Sequence, residues 1–281
     1  MRDLENAPGF AFRKMHGLGN DFVVIDARGG RPAVTPSLVR AIGDRHHGVG
    51  FDQLAVIGPD RESAGEVIFW NTDGSTAGAC GNATRCVADL LMRESGADHV
   101  VVRTQAGLLS ARRGADGRVT VDMGPAETDW RVIPLARAAD PLRLPILGEP
   151  TAVSMGNPHC VFFVDDVASV VLEDFGPQIE CHPLFPARTN VEICEVKSPS
   201  RMRMRVWERG AGITLACGSG ACAAAVAGHL RGLTGREVAI ELDGGVLDLE
   251  VREDGHVLMT GPVAYVFEGR LSPEFIAAFV P

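Results

Sequence analysis

Short apolar runs broken by glycine-rich turns dominate the chain, and their spacing predicts strands at residues 11–14, 22–26, 152–155 and 161–164. Residues 66–70 and 202–207 alternate apolar and polar positions, as half-buried strands do. Turn chemistry at Ala106-Gly107 predicts that 100–104 pairs with 108–112, followed by a strand at 119–123. Asp243-Gly244 predicts the same for 238–242 and 246–251, followed by 257–260. Two longer stretches have a helical pattern, 81–94 and 218–231, each running to a glycine suited to a C-terminal cap, Gly96 and Gly232. Between these opening strands and residues 66–70 or 202–207, the chain reads as polar and variable, with no element assigned.

These elements repeat. At a constant offset of 137 residues, Gly19-Asn20 falls on Gly156-Asn157, Gln53 on Asn190, Trp70 on Trp207, Ala79-Cys80-Gly81 on Ala216-Cys217-Gly218, and Gly124-Pro125 on Gly261-Pro262. Two of the three tryptophans fall in this register. The chain therefore reads as a duplication. The expected fold class is α/β in the α+β sense: two duplicated domains, each a mostly antiparallel curled sheet around a central helix, related by a pseudo-twofold axis. The expected boundaries are 1–127, joined by the tail 265–281 as strand then short helix, and 128–264.

Composition narrows the function. With 281 residues, 46% hydrophobic and 22% charged, the chain has a globular composition and no need of a metal or disulfide staple. Its net charge of −9 disfavours nucleic acid as a partner. Arg201, Arg203 and Arg205, the nearest thing to a basic cluster, alternate with Met202, Met204 and Val206 and read as one face of a strand. No signal segment or membrane span is evident, so a cytoplasmic protein without membrane partners is expected. Seven cysteines, an odd number with no zinc-type spacing, are expected to be reduced thiols that hold no metal.

Two cysteines stand apart. Cys80 and Cys217 occupy equivalent places, each just before a predicted helix and followed by Gly81-Asn82 or Gly218-Ser219. A helix start offers unpaired N–H groups and partial positive charge, able to bind a carboxylate and to lower a thiol pKa from about 8.5 to roughly 3.5–7.5. If the copies pack about a twofold axis, both thiols approach one cleft from opposite sides. One, as thiolate, removes a proton from a stereocentre and the other, as thiol, delivers one to the opposite face, with no cofactor needed. Cys86, Cys160, Cys181, Cys194 and Cys222 read as small apolar fillers.

These residues resemble the diaminopimelate epimerase family, and the resemblance spans essentially the whole chain: Lys14-Met15-His16-Gly17-Leu18-Gly19-Asn20-Asp21-Phe22, Gly50-Phe51-Asp52-Gln53, Asn71-Thr72-Asp73-Gly74-Ser75, Ala79-Cys80-Gly81-Asn82, Gly156-Asn157-Pro158-His159, Arg188-Thr189-Asn190-Val191, and Trp207-Glu208-Arg209-Gly210 leading to Ala216-Cys217-Gly218-Ser219-Gly220. It implies two-base, cofactor-independent epimerisation of LL-2,6-diaminoheptanedioate to the meso form, on the route to lysine and peptidoglycan. It further implies Cys80 and Cys217 as base and acid, and the amides of Gly81-Asn82 and Gly218-Ser219 on the substrate carboxylate. Asn20, Gln53, Asn71, Asn157, Asn190 and Arg209 would bind substrate, Glu208 would meet an ammonium group, and His159 with Glu208 would adjust the thiol pKa values. The small-molecule substrate is the one partner implied, and the sequence leaves a homodimer open. Alanine at position 83, where many members have glycine, should cost no activity. The alternatives are a racemase of another amino acid such as proline, or a two-domain binding protein without the chemistry.

Overall fold

The computed structural model describes residues 10–30, 34–78 and 80–279, so Ala79 of the repeat register lies outside the described residues. The chain order is β1 (Phe10–Gly17), β2 (Asn20–Asp26), α1 (Pro36–Gly43), β3 (Gln53–Gly58), β4 (Glu66–Asn71), β5 (Thr76–Ala77), α2 (Gly81–Ser95), β6 (His99–Thr104), β7 (Gly107–Arg113), β8 (Val119–Pro125), β9 (Thr151–Ser154), β10 (Pro158–Phe163), α3 (Leu172–Glu180), β11 (Asn190–Ser198), β12 (Arg201–Glu208), β13 (Gly212–Ile213), α4 (Gly218–Leu230), β14 (Glu237–Leu242), β15 (Gly245–Val251), β16 (His256–Gly261), β17 (Ala264–Leu271) and α5 (Pro273–Ala277). From β2 to β8, each element recurs 137 residues later to within about three positions, so the duplication holds at the level of structure.

The chain divides into two compact units: residues up to Val119 together with those from Pro262, and Thr120–Gly261. In the first unit, β17 pairs with β1, β1 with β2, β2 with β3, β3 with β4, β4 with β6, and β6 with β7. Most pairs are antiparallel, but β2–β3 and β4–β6 are parallel. A parallel pair needs a crossover, and α1 and α2 supply the two. The second unit repeats the scheme with β10–β11 and β12–β14 parallel, crossed by α3 and α4. The stretches read from sequence as polar and elementless therefore hold a helix and a buried strand in each copy: α1 with β3, and α3 with β11.

The central helices are the two read from sequence. α2 ends at Gly96, whose φ of 73° is the left-handed conformation that glycine tolerates. Its first three turns are buried against β1, β2, β3, β6 and β7. α4 is small and apolar on all sides and packs on β9, β10, β11, β14, β15 and β16. A helix touching that many strands is a helix around which the sheet curls. The outer face is covered too. In the first unit Val23, Ile25, Leu54 and Val56 pack on Leu38, Val39 and Ile42 of α1, and in the second Cys160, Phe162, Val191 and Ile193 pack with Leu172 and Ile179 of α3.

Two expectations need correction. The strand at 119–125 falls in the second unit from Thr120 onward, not in the first as the boundary at 127 anticipated. β8 pairs with β16, Thr120 and Thr260 share a hydroxyl hydrogen bond of 2.8 Å, and His256 Nδ1 meets the Asp122 carboxylate at 2.9 Å. Cys181 is exposed at the end of α3 and fills no core. No helix among the described residues is long and apolar enough to cross a membrane.

Candidate active site

Topology gathers the polar residues of each copy at one end of its sheet. Because β2 and β3 are parallel, their first residues, Asn20 and Gln53, lie at the same end. β4 runs back, so its last residue, Asn71, sits opposite Gln53 in register. The helix that follows then starts at Cys80-Gly81. In the second unit the same logic places Asn157, Asn190, Glu208 and Cys217-Gly218 together, with His159 beside Asn190 in the β10–β11 register.

In the first unit Cys80 caps α2 in extended backbone conformation, and its sulfur accepts from the Ala83 N–H at 3.4 Å. Asn82, fully buried on the first turn, donates from Nδ2 to Asn20 Oδ1 at 3.2 Å, and Asn20 Nδ2 donates to Asp52 at 2.9 Å. Arg45 bridges Asp52 and Asp21, and Lys14 also donates to Asp21. Burial pushes the Asp21 carboxyl up, but hydrogen bonds and charge from Arg45 and Lys14 outweigh it and bring its pKa down to about 2. Gln53 Nε2 donates to Asn71 Oδ1 at 3.0 Å, and Asn71 Nδ2 donates to Ser75 at 3.1 Å. The six residues expected on this side thus form two hydrogen-bonded groups at one sheet end: Asn20 with Asn82 beside Cys80-Gly81, and Gln53 with Asn71.

In the second unit Cys217 caps α4 and is buried. Its sulfur lies 3.7 Å from the Ser219 hydroxyl, and Ser219 accepts from Asn157 Nδ2 at 3.4 Å. His159 is fully buried, with Nε2 3.0 Å from Asn157 Oδ1 and Nδ1 2.7 Å from Glu192 Oε1. Asn190 donates to the Pro158 carbonyl at 2.9 Å and accepts the Arg209 backbone N–H at 2.9 Å. Arg209 itself is exposed, held by the Ala187 carbonyl at 3.1 Å. Glu208 accepts from Thr214.

The sequence argument that a helix start lowers a thiol pKa fails at Cys217. Burial pushes this thiol well above its ordinary value, the Glu208 and Glu192 carboxylates add to the rise, and bonds from Gly220 N–H and Ser219 only partly offset it. Burial also raises Glu208, against hydrogen bonds from Thr214 and Cys217. Cys217 is therefore a thiol that donates toward a carboxylate, not a preformed thiolate.

Sequence reasoning missed Glu192, Thr214 and Glu180. Glu192 had a readable signal: a carboxylate in the middle of the apolar strand Val191-Glu192-Ile193. Glu180 accepts from Trp207 Nε1 at 2.6 Å and from Gly210 N–H at 3.0 Å, fixing the Glu208-Arg209 segment to α3. Among the described residues, no three His, Cys, Asp or Glu side chains are grouped so as to hold a metal ion.

Fold and residue set define a class: a duplicated α+β protein with a cysteine at the start of each central helix. A solved structure described as a predicted epimerase of Pseudomonas aeruginosa has the same fold, with a TM-score of 0.67 at 19% identity, covering 93% of this chain and 99% of that one. The diaminopimelate epimerase family profile matches residues 12–128 and again 151–266. The diaminopimelate epimerase of Rhodospirillum centenum is 56% identical over 276 residues, covering 96% of this chain and 95% of the relative. That of Acidiphilium cryptum is 53% identical over 270 residues, covering 95% and 98%. The chain belongs to the diaminopimelate epimerase family and is an isomerase.

Proposed function

We propose that the chain interconverts LL- and meso-2,6-diaminoheptanedioate by passing hydrogen through one carbon between the sulfurs of Cys80 and Cys217, without a metal or organic cofactor. The observation that carries the reading is the pair of helix-start cysteines at equivalent positions, each with polar residues gathered at the same end of its sheet, in a chain of this family. The Cys80 thiolate takes the α-proton and becomes a thiol. The Cys217 thiol gives its proton to the other face of the carbanion and becomes a thiolate, so one turnover exchanges the two protonation states. The raised pKa of Cys217 suits it to the donor role.

The amides of Gly81-Asn82 and Gly218-Ser219 would hold the carboxylate at the reacting carbon. Asn20, Gln53, Asn71, Asn157, Asn190, Glu208 and Arg209 would hold the rest of the substrate, Arg209 by a bidentate grip on the distal carboxylate. The test is epimerisation in deuterated water. Wild type exchanges the α-hydrogen of LL-diaminopimelate, and Cys80→Ala and Cys217→Ala each lose about 100-fold or more in turnover. Either variant retaining wild-type turnover would remove its cysteine from the mechanism.

Two further parts of the reading are a cytoplasmic location, where thiols stay reduced, with no nucleic-acid partner, and a homodimer. Support for the dimer comes from Tyr265, Val266 and Phe267, consecutive large apolar residues that are 44%, 53% and 46% exposed on β17. Sedimentation should give twice the chain mass for wild type and the single mass for Phe267→Asp. A monomeric wild type at micromolar concentration would reject the dimer.

A further inference from the structure

The two copies differ where they are otherwise most alike. At the offset of 137, Phe22 corresponds to His159, Ala55 to Glu192 and Ala83 to Gly220. Phe22, Ala55 and Ala83 are fully buried apolar residues. In the second copy the first two places hold a fully buried histidine and carboxylate bonded at 2.7 Å. The third place follows from the second: a methyl group on Gly220 would come within 2.7 Å of Glu192 Oε1 and 3.3 Å of the Cys217 sulfur. A buried pair of this kind is costly to desolvate, and the apolar alternative that fits the same fold stands in the first copy. Folding alone does not account for it.

The hydrogen bonds say what the pair does. His159 faces a carboxylate at Nδ1 and an amide oxygen at Nε2, and it satisfies both acceptors only with hydrogen on each nitrogen. Glu192 Oε2 has no hydrogen-bond partner among the described residues, and Oε1 meets the His159 ring. The other ionisable groups near the pair are Glu208 on β12, Cys217 at the start of α4, Cys160 on β10 and Cys194 on β11. None of them carries positive charge.

We propose that Glu192 is a positioning residue of the reaction: it holds His159 with hydrogen on both ring nitrogens, which fixes the Asn157 amide so that Nδ2 donates to Ser219 and the Ser219 hydroxyl is left to donate to the Cys217 sulfur. The path runs Glu192, His159, Asn157, Ser219, Cys217 with contacts of 2.7, 3.0, 3.4 and 3.7 Å. Its end supports the thiolate that Cys217 becomes on giving up its proton, so the inference rests on the proposed role of Cys217. Without Glu192 the ring drops one hydrogen, the amide is free to turn over, and the Ser219 hydroxyl loses its fixed direction.

Glu192→Gln keeps the shape and removes the charge. Nitrogen-15 NMR of the His159 ring at neutral pH should show two protonated nitrogens in wild type and one in the variant. Its kcat/KM should fall about tenfold or more, equivalent to about 1.4 kcal/mol, through kcat more than KM and with a displaced pH profile. A second variant, His159→Phe with Glu192→Ala, copies the first half of the molecule and should fold with undiminished resistance to urea while losing turnover. Unchanged ring signals and an unchanged pH profile in Glu192→Gln would overturn the proposal. If wild type failed to exchange the α-hydrogen at all, the functional reading would fall, and the ring nitrogens would still decide whether Glu192 governs His159.

Discussion

At Cys217 two local effects compete, and their magnitudes decide the outcome. A helix start favours an anion by about 0.3–1 kcal/mol, whereas removing an ion from water costs several kcal/mol. Burial wins, and the nearby Glu208 and Glu192 widen the margin. The position of the cysteine was legible in the sequence; its protonation state was not, because its burial is set by the fold and Glu192 reaches it from a separate strand, β11. Asp21 is the opposite case. Its carboxyl, lowered from 3.8 to about 2 by Arg45 and Lys14 against the effect of burial, binds its proton less readily folded than unfolded. It therefore contributes stability above about pH 4 that is lost as pH falls toward 2. Urea midpoints of Asp21→Asn should lie below wild type at neutral pH, and the gap should close across that window. Arg45 is more than half exposed, so the contribution is modest and shrinks in high salt. A gap independent of pH would show that the charge is not what matters.

Among the elements, the crossover helices α1 and α3 and the strands that follow them were the part hidden from the sequence. Their polar residues face outward and mask short apolar faces that make sense only against the sheet. α3 also carries a constraint that only packing reveals. A methyl group on Gly176 would meet the Trp207 ring at 2.5 Å, so the helix must keep glycine there to lie against β12. Gly176→Ala, favourable by helix propensity alone, should destabilise the protein by about 1–3 kcal/mol through overpacking, measured by urea unfolding. Because Trp207 and Glu180 anchor the segment carrying Glu208 and Arg209, KM for diaminopimelate should rise as well. An unchanged or higher midpoint would mean that the ring moves aside at little cost.

For the molecule as a whole, the chain end belongs to the beginning. β17 pairs along β1 from Phe10 to His16, Leu271 joins the first unit's outer core, and the Thr35 and Ser37 hydroxyls donate to the Phe279 carbonyl. Deleting residues 264–281 should unzip that edge, leave β1 with one neighbour, and make residues near 10–60 cut first in limited proteolysis. A truncated chain as resistant as wild type would contradict this pairing.

The sequence by itself determined the duplication, the two central helices, the tail strand and helix, and the equivalent helix-start places of two cysteines. These signals are local, or repeat at a fixed offset, so periodicity and turn chemistry suffice to expose them. Tertiary structure alone decided the parallel pairings that bring strand starts to one end, the passage of residues 120–125 into the second unit, and the protonation of Cys217. It also placed Glu192 against His159. Each of these depends on which residues from separate elements exclude water from one another, and no local pattern names those partners.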